Sequence, residues 1–388
     1  MFTTKCILQT AAPYFSNLVW FIGNHILEID DCVRNDADHN SMDKLKDVVA
    51  EHLDHLHYIN DILCLDIEPL NRVLTDHLLN RLFIPLYIYS FARASLPGED
   101  MKPYVSPVVA LFLLCQVFLI ITHIPLVRLL AWILLAGDTE VFTERAATLA
   151  ASLGPRPCSS GSSITKPSFM APPEPLDRLL ARRLATADLD SEAVLEAEQA
   201  LDAAAASVHR LTGLPVSPHH TAAPARPGPG PASLSITDEE KQILLESEVD
   251  LQAGLERKPF LAALLSCLDH ADNDYFQLFA LCLIYALQVN TGINRELLES
   301  AQLSGGVGYN RQLVERMVGM VGSGCCYDSR VRLVTLEILL ASLQQLVIRK
   351  PGGESVLLDE HLAAVEGARE ESVLILRNYY KAAFINIG

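Results

Sequence analysis

Basic residues are scarce in this chain. Its 388 residues hold 30 Lys and Arg against 47 Asp and Glu, for a formal net charge of −17. Binding a phosphate backbone needs a basic surface, and so does attraction to anionic lipid through a polybasic patch. Nucleic acid is therefore excluded as a partner, and membrane association through basic charge with it. Aromatic residues are also few, at 7%, and no stretch sets β-branched residues in strict alternation. That excludes a sheet with one buried face. The opening MFTTKCILQTAAPYF has one Lys and lacks the apolar core of a secretory signal, so a cytosolic chain is expected. The nine cysteines include no CxxC pair, which excludes a zinc ribbon or RING finger. Cys64, Cys115, Cys267 and Cys282 stand in apolar helical runs, where free buried thiols of a reducing compartment are expected. The motifs GxxxxGK[ST], GxGxxG after a strand, GxSxG and HExxH are all missing. SITK (163–166) fits S-x-x-K, but it lies in a Pro/Ser-rich stretch that cannot preorganise a site.

What is present is Leu, Ala and helical spacing. Half of the residues are hydrophobic, and the pattern predicts an all-α fold of serial helices, an armadillo/HEAT-like solenoid in two blocks. The most apolar stretch is YVSPVVALFLLCQVFLIITHIPLVRLLAWILLAG (104–137). Ser106-Pro107 reads as an N-cap followed by the first helical residue. A spanning helix needs roughly 20 apolar residues. Thr122, His123 and Pro125 end the first run too early, and Arg128 interrupts the second. Two short apolar helices at the centre of a helical domain are expected; a membrane-inserted hairpin is the alternative.

Before this stretch, apolar residues at 15, 18, 19, 22, 26 and 29 predict a helix over 14–33. Asp36, Asp38, Asn40 and Asp47 follow the spacing of an EF-hand loop, but Ser41 stands where that loop needs Gly. The next helix, 43–65, sets Leu45, Val49, Leu53, Leu56, Ile59 and Leu63 on one stripe, with Glu51, His52, Asp54, His55, His57 and Asp61 on the remainder. A His pair at i, i+3 beside carboxylates could hold a metal, although a solvated or helix-pairing face explains it equally. Pro69 opens a further helix, and Pro85 inside it predicts a kink near 83–84.

Composition changes at Gly154. Twelve of the 21 prolines fall within 154–175 and 213–232, so 154–236 is expected to be a disordered Pro/Ala/Gly-rich linker with one weak helix over 176–211. Helical spacing occupies 10–153 before it and 237–386 after it, opened by the capping box TDEE at Thr237. In the second block, helices are expected at 237–255, 259–268, 272–289, 294–301, 309–321, 328–348 and 355–383. LFALCLIYAL (278–287), apolar all round, should be its core helix.

Several runs resemble the Ema (endosomal maturation defective) family, whose vertebrate member is labelled "C-type lectin domain containing" and which is related to FPL-domain proteins. They are AAPYFSNLVWFIGNHILEIDDCV (11–33), VVAEHLDHLHYINDIL (48–63), VLTDHLLNRLFIPLYIYS (73–90), LLCQVFLIITHIPLV (113–127), KPFLAALLSCLDHADNDYFQLFALCLIYAL (258–287), RLVTLE (332–337) and EGAREESV (366–373). No lectin cysteine framework accompanies them. The resemblance implies a non-enzymatic adaptor of endosomal maturation, lysosomal trafficking and autophagy or mitophagy. It implies peripheral association with the cytosolic face of endosomes and lysosomes. Its expected partners are HOPS-type tethering machinery and a RING ubiquitin ligase with a deubiquitinase, and no small-molecule substrate. It assigns no catalytic, cofactor-binding or metal-ligating residue. Against the family pattern the chain starts inside the helical region, stops early and carries a different central insert, so a fragment or short isoform is expected. The alternative to an adaptor is a component with non-RING ubiquitin-ligase activity, for which Cys158 and Cys325-Cys326 are the thiols outside apolar helices.

Overall fold

The computed structural model describes residues 2–35, 39–93, 96, 102–142, 166–187, 257–270, 273–304, 309–326, 328–347 and 357–385. Every regular element among them is a helix. The chain divides into two compact units, one of Met1–Ala171 with Ile236–Gly388 and one of Pro172–Ser235. Both helical blocks thus belong to a single unit. In the second unit the described helix is α7 (Leu176–Ala187), where Glu174 pairs with Arg182 at 3.2 Å.

The first unit opens with α1 (Phe2–Arg34), which starts well before the expected residue 14 and carries Pro13 inside it. Its buried face is Phe15, Val19, Ile22, Ile26 and Ile29, the face that the spacing predicts. α2 (His39–Cys64) packs along it. The buried stripe of α2 is Val48, His52, Leu56, Ile59 and Leu63, in steps of three and four. The expected stripe therefore holds only in its second half. Val48 and His52 take core positions, while Leu45, Val49 and Leu53 are half-buried.

α3 (Glu68–Leu78) begins with Pro in its first turn, where a missing N–H costs nothing. From Leu79 to Ile88 the backbone widens into a π-helix that holds Pro85, then tightens into α4 (Tyr89–Ala92). The expected kink is thus a widened turn. Pro85 cannot donate the i→i−4 bond, and the wider winding absorbs that loss without a break. All of Leu82–Ala92 is buried.

α5 (Pro107–Ile120) and α6 (Ile124–Ala136) are the two short helices of the apolar stretch. Ser106 is the N-cap residue, but its hydroxyl caps nothing; its backbone N–H donates to Asp30 Oδ1 of α1 at 2.7 Å. Among the described residues no helix is long and apolar enough to cross a membrane. Protein covers the inner faces of these helices: Leu111, Leu114, Val117, Leu126, Leu130 and Ile133 are all 0% exposed.

The second block supplies most of that cover. Its helices are α8 (Pro259–Ser266), α9 (Asp274–Val289), α10 (Arg295–Ser300), α11 (Arg311–Gly324), α12 (Leu333–Val347) and α13 (Asp359–Ile385). Among the described residues the most extensive helix pairing is α5 with α9, and α6 packs on α8. α9 is the core helix expected from its sequence: Leu281, Leu283, Ile284 and Leu287 are fully buried. Phe112 meets Phe279 with ring centres 5.3 Å apart, and Phe142 meets Phe260 at 5.6 Å. Asn290, just past α9, donates to the Phe118 and Ile121 carbonyls at 2.7 and 3.1 Å, closing orphan acceptors at the end of α5. Arg128, the charge that interrupts the apolar run, donates to the Gly292 carbonyl at 3.2 Å. These contacts make the all-α, armadillo/HEAT-like solenoid continuous across the insert.

Candidate functional site

The sequence candidates do not assemble into a metal or catalytic centre among the described residues. Asp36 and Asp38 lie outside the described residues, as do Cys158, Thr237 and most of SITK. Of the histidines on α2, His57 is exposed, His55 is half-buried and His52 is fully buried. Both ring nitrogens of His52 lack a hydrogen-bond partner. Burial, with His55 and His25 nearby, lowers its pKa to about 3, so it sits in the core as a neutral imidazole. His25 takes up the outer edge: Nε2 lies 3.1 Å from the Val48 carbonyl and 3.5 Å from Glu51, and its ring meets His55 edge-on at 5.3 Å. This is a packed helix pair. Cys64, expected to be buried, is exposed at the end of α2; Cys115 is buried and Cys282 half-buried, on the paired helices α5 and α9. Cys325 packs against the core, while Cys326 is exposed and donates its thiol to the Gly322 carbonyl at 3.3 Å.

One polar cluster was not legible in the sequence. Glu315 of α11 and Glu360 and His361 of α13 bring three ligand-type atoms within 4.8 Å of one another. Arg311 occupies the same ground, with Nε 2.8 Å from Glu315 and a terminal nitrogen 2.9 Å from Glu360. The guanidinium already compensates both carboxylates. His361 lies beneath, its Nδ1 3.5 Å from the Tyr309 hydroxyl, and burial lowers its pKa. Glu315 stands 45 or more positions before Glu360 and His361, so no local spacing announces the cluster.

A second site is built on the first block. α1 sets Trp20 and Gly23 one turn apart on one face. The π-helix contributes Leu86, and the backbone of Tyr104, held by Ser90 Oγ at 3.1 Å, completes the rim. Into this groove runs the extended segment 166–171, within the stretch that composition marks as linker. Phe169 stacks on Trp20 with ring centres 4.7 Å apart and meets Tyr104 edge-on at 6.3 Å. It lies directly on Gly23, where any Cβ would collide with the ring. The Tyr104 hydroxyl donates to the Pro167 carbonyl at 2.9 Å and accepts the Phe169 N–H at 3.2 Å. Lys166 lies 3.8 Å over the Tyr104 ring and donates to the Lys102 carbonyl at 2.9 Å. What this arrangement does chemically is hold an extended peptide, through two backbone bonds, one cation–π contact and one aromatic anchor. The one sequence signal for it was Gly23, a helix-interior glycine that costs roughly 1 kcal/mol relative to Ala unless something needs the space.

Comparison with known proteins agrees with this fold. The profile of the CLEC16A helical domain matches residues 40–185 and 232–387. Protein CLEC16A of Mus musculus is 42% identical over 395 residues, covering 96% of this chain and 36% of the mouse protein. The Drosophila melanogaster CLEC16A homolog is 38% identical and Homo sapiens CLEC16A 39%, each again over 96% of this chain. The chain thus spans about a third of the length of these curated relatives. No solved structure matches it. With the family's helical-domain model matching most of its residues and relatives of 38–42% identity covering 96% of it, the chain belongs to the CLEC16A family.

Proposed function

We propose that this chain is a non-enzymatic adaptor of endosomal maturation, lysosomal trafficking and autophagy or mitophagy, acting through protein partners at the cytosolic face of endosomes and lysosomes. The observation that carries the reading is the continuous resemblance to the family over both helical blocks, at 38–42% identity. The architecture supports it: a helical solenoid offers long surfaces to other proteins, and one groove on it already holds an extended peptide segment. The net charge of −17 favours partners over bare anionic membrane as the source of attachment. HOPS-type tethering components and a RING ubiquitin ligase with its deubiquitinase are the partners this reading expects.

Proximity labelling in cells tests it, comparing this chain with one lacking 172–235, the second unit. Enrichment of late-endosomal tethering and ubiquitin-ligase components by both chains supports an adaptor carried by the helical unit. Labelling of chaperones and proteasome alone would sink the reading for this chain.

A further inference from the structure

We propose that the groove of Trp20, Gly23, Leu86 and Tyr104 is a peptide-docking site, filled in cis by residues 166–170 and open in trans to extended partner segments in which a basic residue precedes Pro and an aromatic follows two residues later. This deepens the adaptor reading and rests on it for the existence of a trans partner. The groove and its occupant in cis stand independently of it.

Three observations carry the proposal. First, the recognition is local and directional. The Tyr104 hydroxyl bonds the backbone on both sides of Ser168, donating to the Pro167 carbonyl and accepting the Phe169 N–H. These bonds fix the path of the segment whatever side chain stands between them. Second, the side-chain anchors are few and differ in kind. Phe169 sits between Trp20 and Tyr104 on the floor left by Gly23, and Lys166 covers the outer face of Tyr104. Ser168 and Met170 are exposed and read by nothing described. The chemistry that fits is therefore basic–Pro–any–aromatic, in an extended backbone. Third, the occupant is exchangeable in a way that core is not. Lys166, Pro167 and Phe169 remain half-buried, whereas Leu86 beside Gly23 is fully buried. The acidic character of the chain adds long-range attraction for a basic segment over an acidic one.

A tethered occupant competes at an effective concentration on the order of millimolar. Against a free peptide of ten to a hundred micromolar affinity, that lowers apparent binding roughly 10–100-fold. The test is fluorescence anisotropy with a labelled TKPSFMA peptide, using the full chain and its Phe169→Ala variant. The proposal expects the variant to bind the peptide at least tenfold tighter than the wild type. It expects no binding of TKPSAMA, and loss of TKPSFMA binding when Gly23→Leu is added to Phe169→Ala. Equal binding by wild type and variant, equal binding of the two peptides, or binding that survives Gly23→Leu would each overturn it. Circular dichroism and a cooperative melt check folding. Should Phe169→Ala fail to fold, the milder pair Lys166→Ser with Phe169→Leu weakens the tethered occupant with the same expected direction, and no gain in peptide binding there refutes the groove. Because the assay holds no cellular partner, its failure is distinguishable from failure of proximity labelling.

Discussion

Asn290 offers the sharpest test of how the two sequence blocks are joined. Its amide donates to the Phe118 and Ile121 carbonyls at the end of α5, and its own carbonyl oxygen accepts the Gly292 N–H at 2.8 Å. One side chain thus makes three hydrogen bonds, two of them to a helix 169 and 172 positions away. Each is worth about 0.5–1.5 kcal/mol net, with more lost where a buried carbonyl is left unpaired. Asn290→Ala should therefore cost about 2–4 kcal/mol. Asn290→Asp keeps the volume and the Gly292 bond but aims a carboxylate at two carbonyl oxygens. At pH 7 it should cost at least as much as the Ala variant. Its folded-state pKa is then raised above the unfolded value near 3.9. The protonated form can donate to one carbonyl, so its deficit relative to wild type shrinks below about pH 4 and grows as pH rises through the raised pKa. Urea melts of the three chains, compared with one another at each pH, measure this. An Ala variant within about 0.5 kcal/mol of wild type, or an Asp variant equal to wild type at pH 7, would refute the clamp.

Other perturbations have equally definite outcomes. His52→Leu removes a fully buried imidazole whose nitrogens bond nothing, and should raise stability at pH 7 by about 1–2 kcal/mol in a thermal or urea melt. In the wild type the His52 pKa is lowered to about 3, while the unfolded chain takes up the proton near 6.5. Stability is then complete above about pH 6.5 and falls toward pH 3, by up to about 1.4 kcal/mol per pH unit from this residue. His52→Leu should flatten that slope. Leu283→Ala, at a fully buried position of α9, should cost about 2–5 kcal/mol, whereas the same substitution at Leu374, 56% exposed, should stay within about 0.5 kcal/mol. Arg311→Ala strips the shared partner from Glu315 and Glu360 and should cost about 1 kcal/mol, less at high salt because both carboxylates face solvent. Lys at this position should recover only part of it, since a single ammonium does not span both carboxylates.

The helix class was legible because each start carries its own chemistry. Pro69, Pro107 and Pro259 all stand in first turns, as their missing N–H groups demand. The 278–287 run was legible as core because it is apolar on every side. What escaped is what depends on a partner helix. α2 packs on α1 with Val48 and His52 facing inward, a rotation set by the neighbouring helix that periodicity alone cannot weigh. Asn290 reads as turn punctuation in sequence, and only the end of α5 makes it a clamp. Cys64 sits in an apolar run yet is exposed, because that run ends at it. The groove escaped for a different reason. Its ligand, KPSF, lies in sequence whose composition says linker, and one aromatic among prolines carries no periodic signal. The cluster around Arg311 is likewise assembled from two helices far apart in the chain.

The α5–α9 pairing has a consequence for synthesis. A ribosome adding about 5–20 residues per second reaches Asn290 about 9–34 s after Phe118, across the 172 positions between them. For that interval α5 and α6 are complete but lack the helices that cover them. The nascent first block presents an apolar face with no occupant of its own. Holdase chaperones should engage the chain in that window and release it once α9 emerges. Variants that weaken α9 should lengthen chaperone residence before any loss of function is seen.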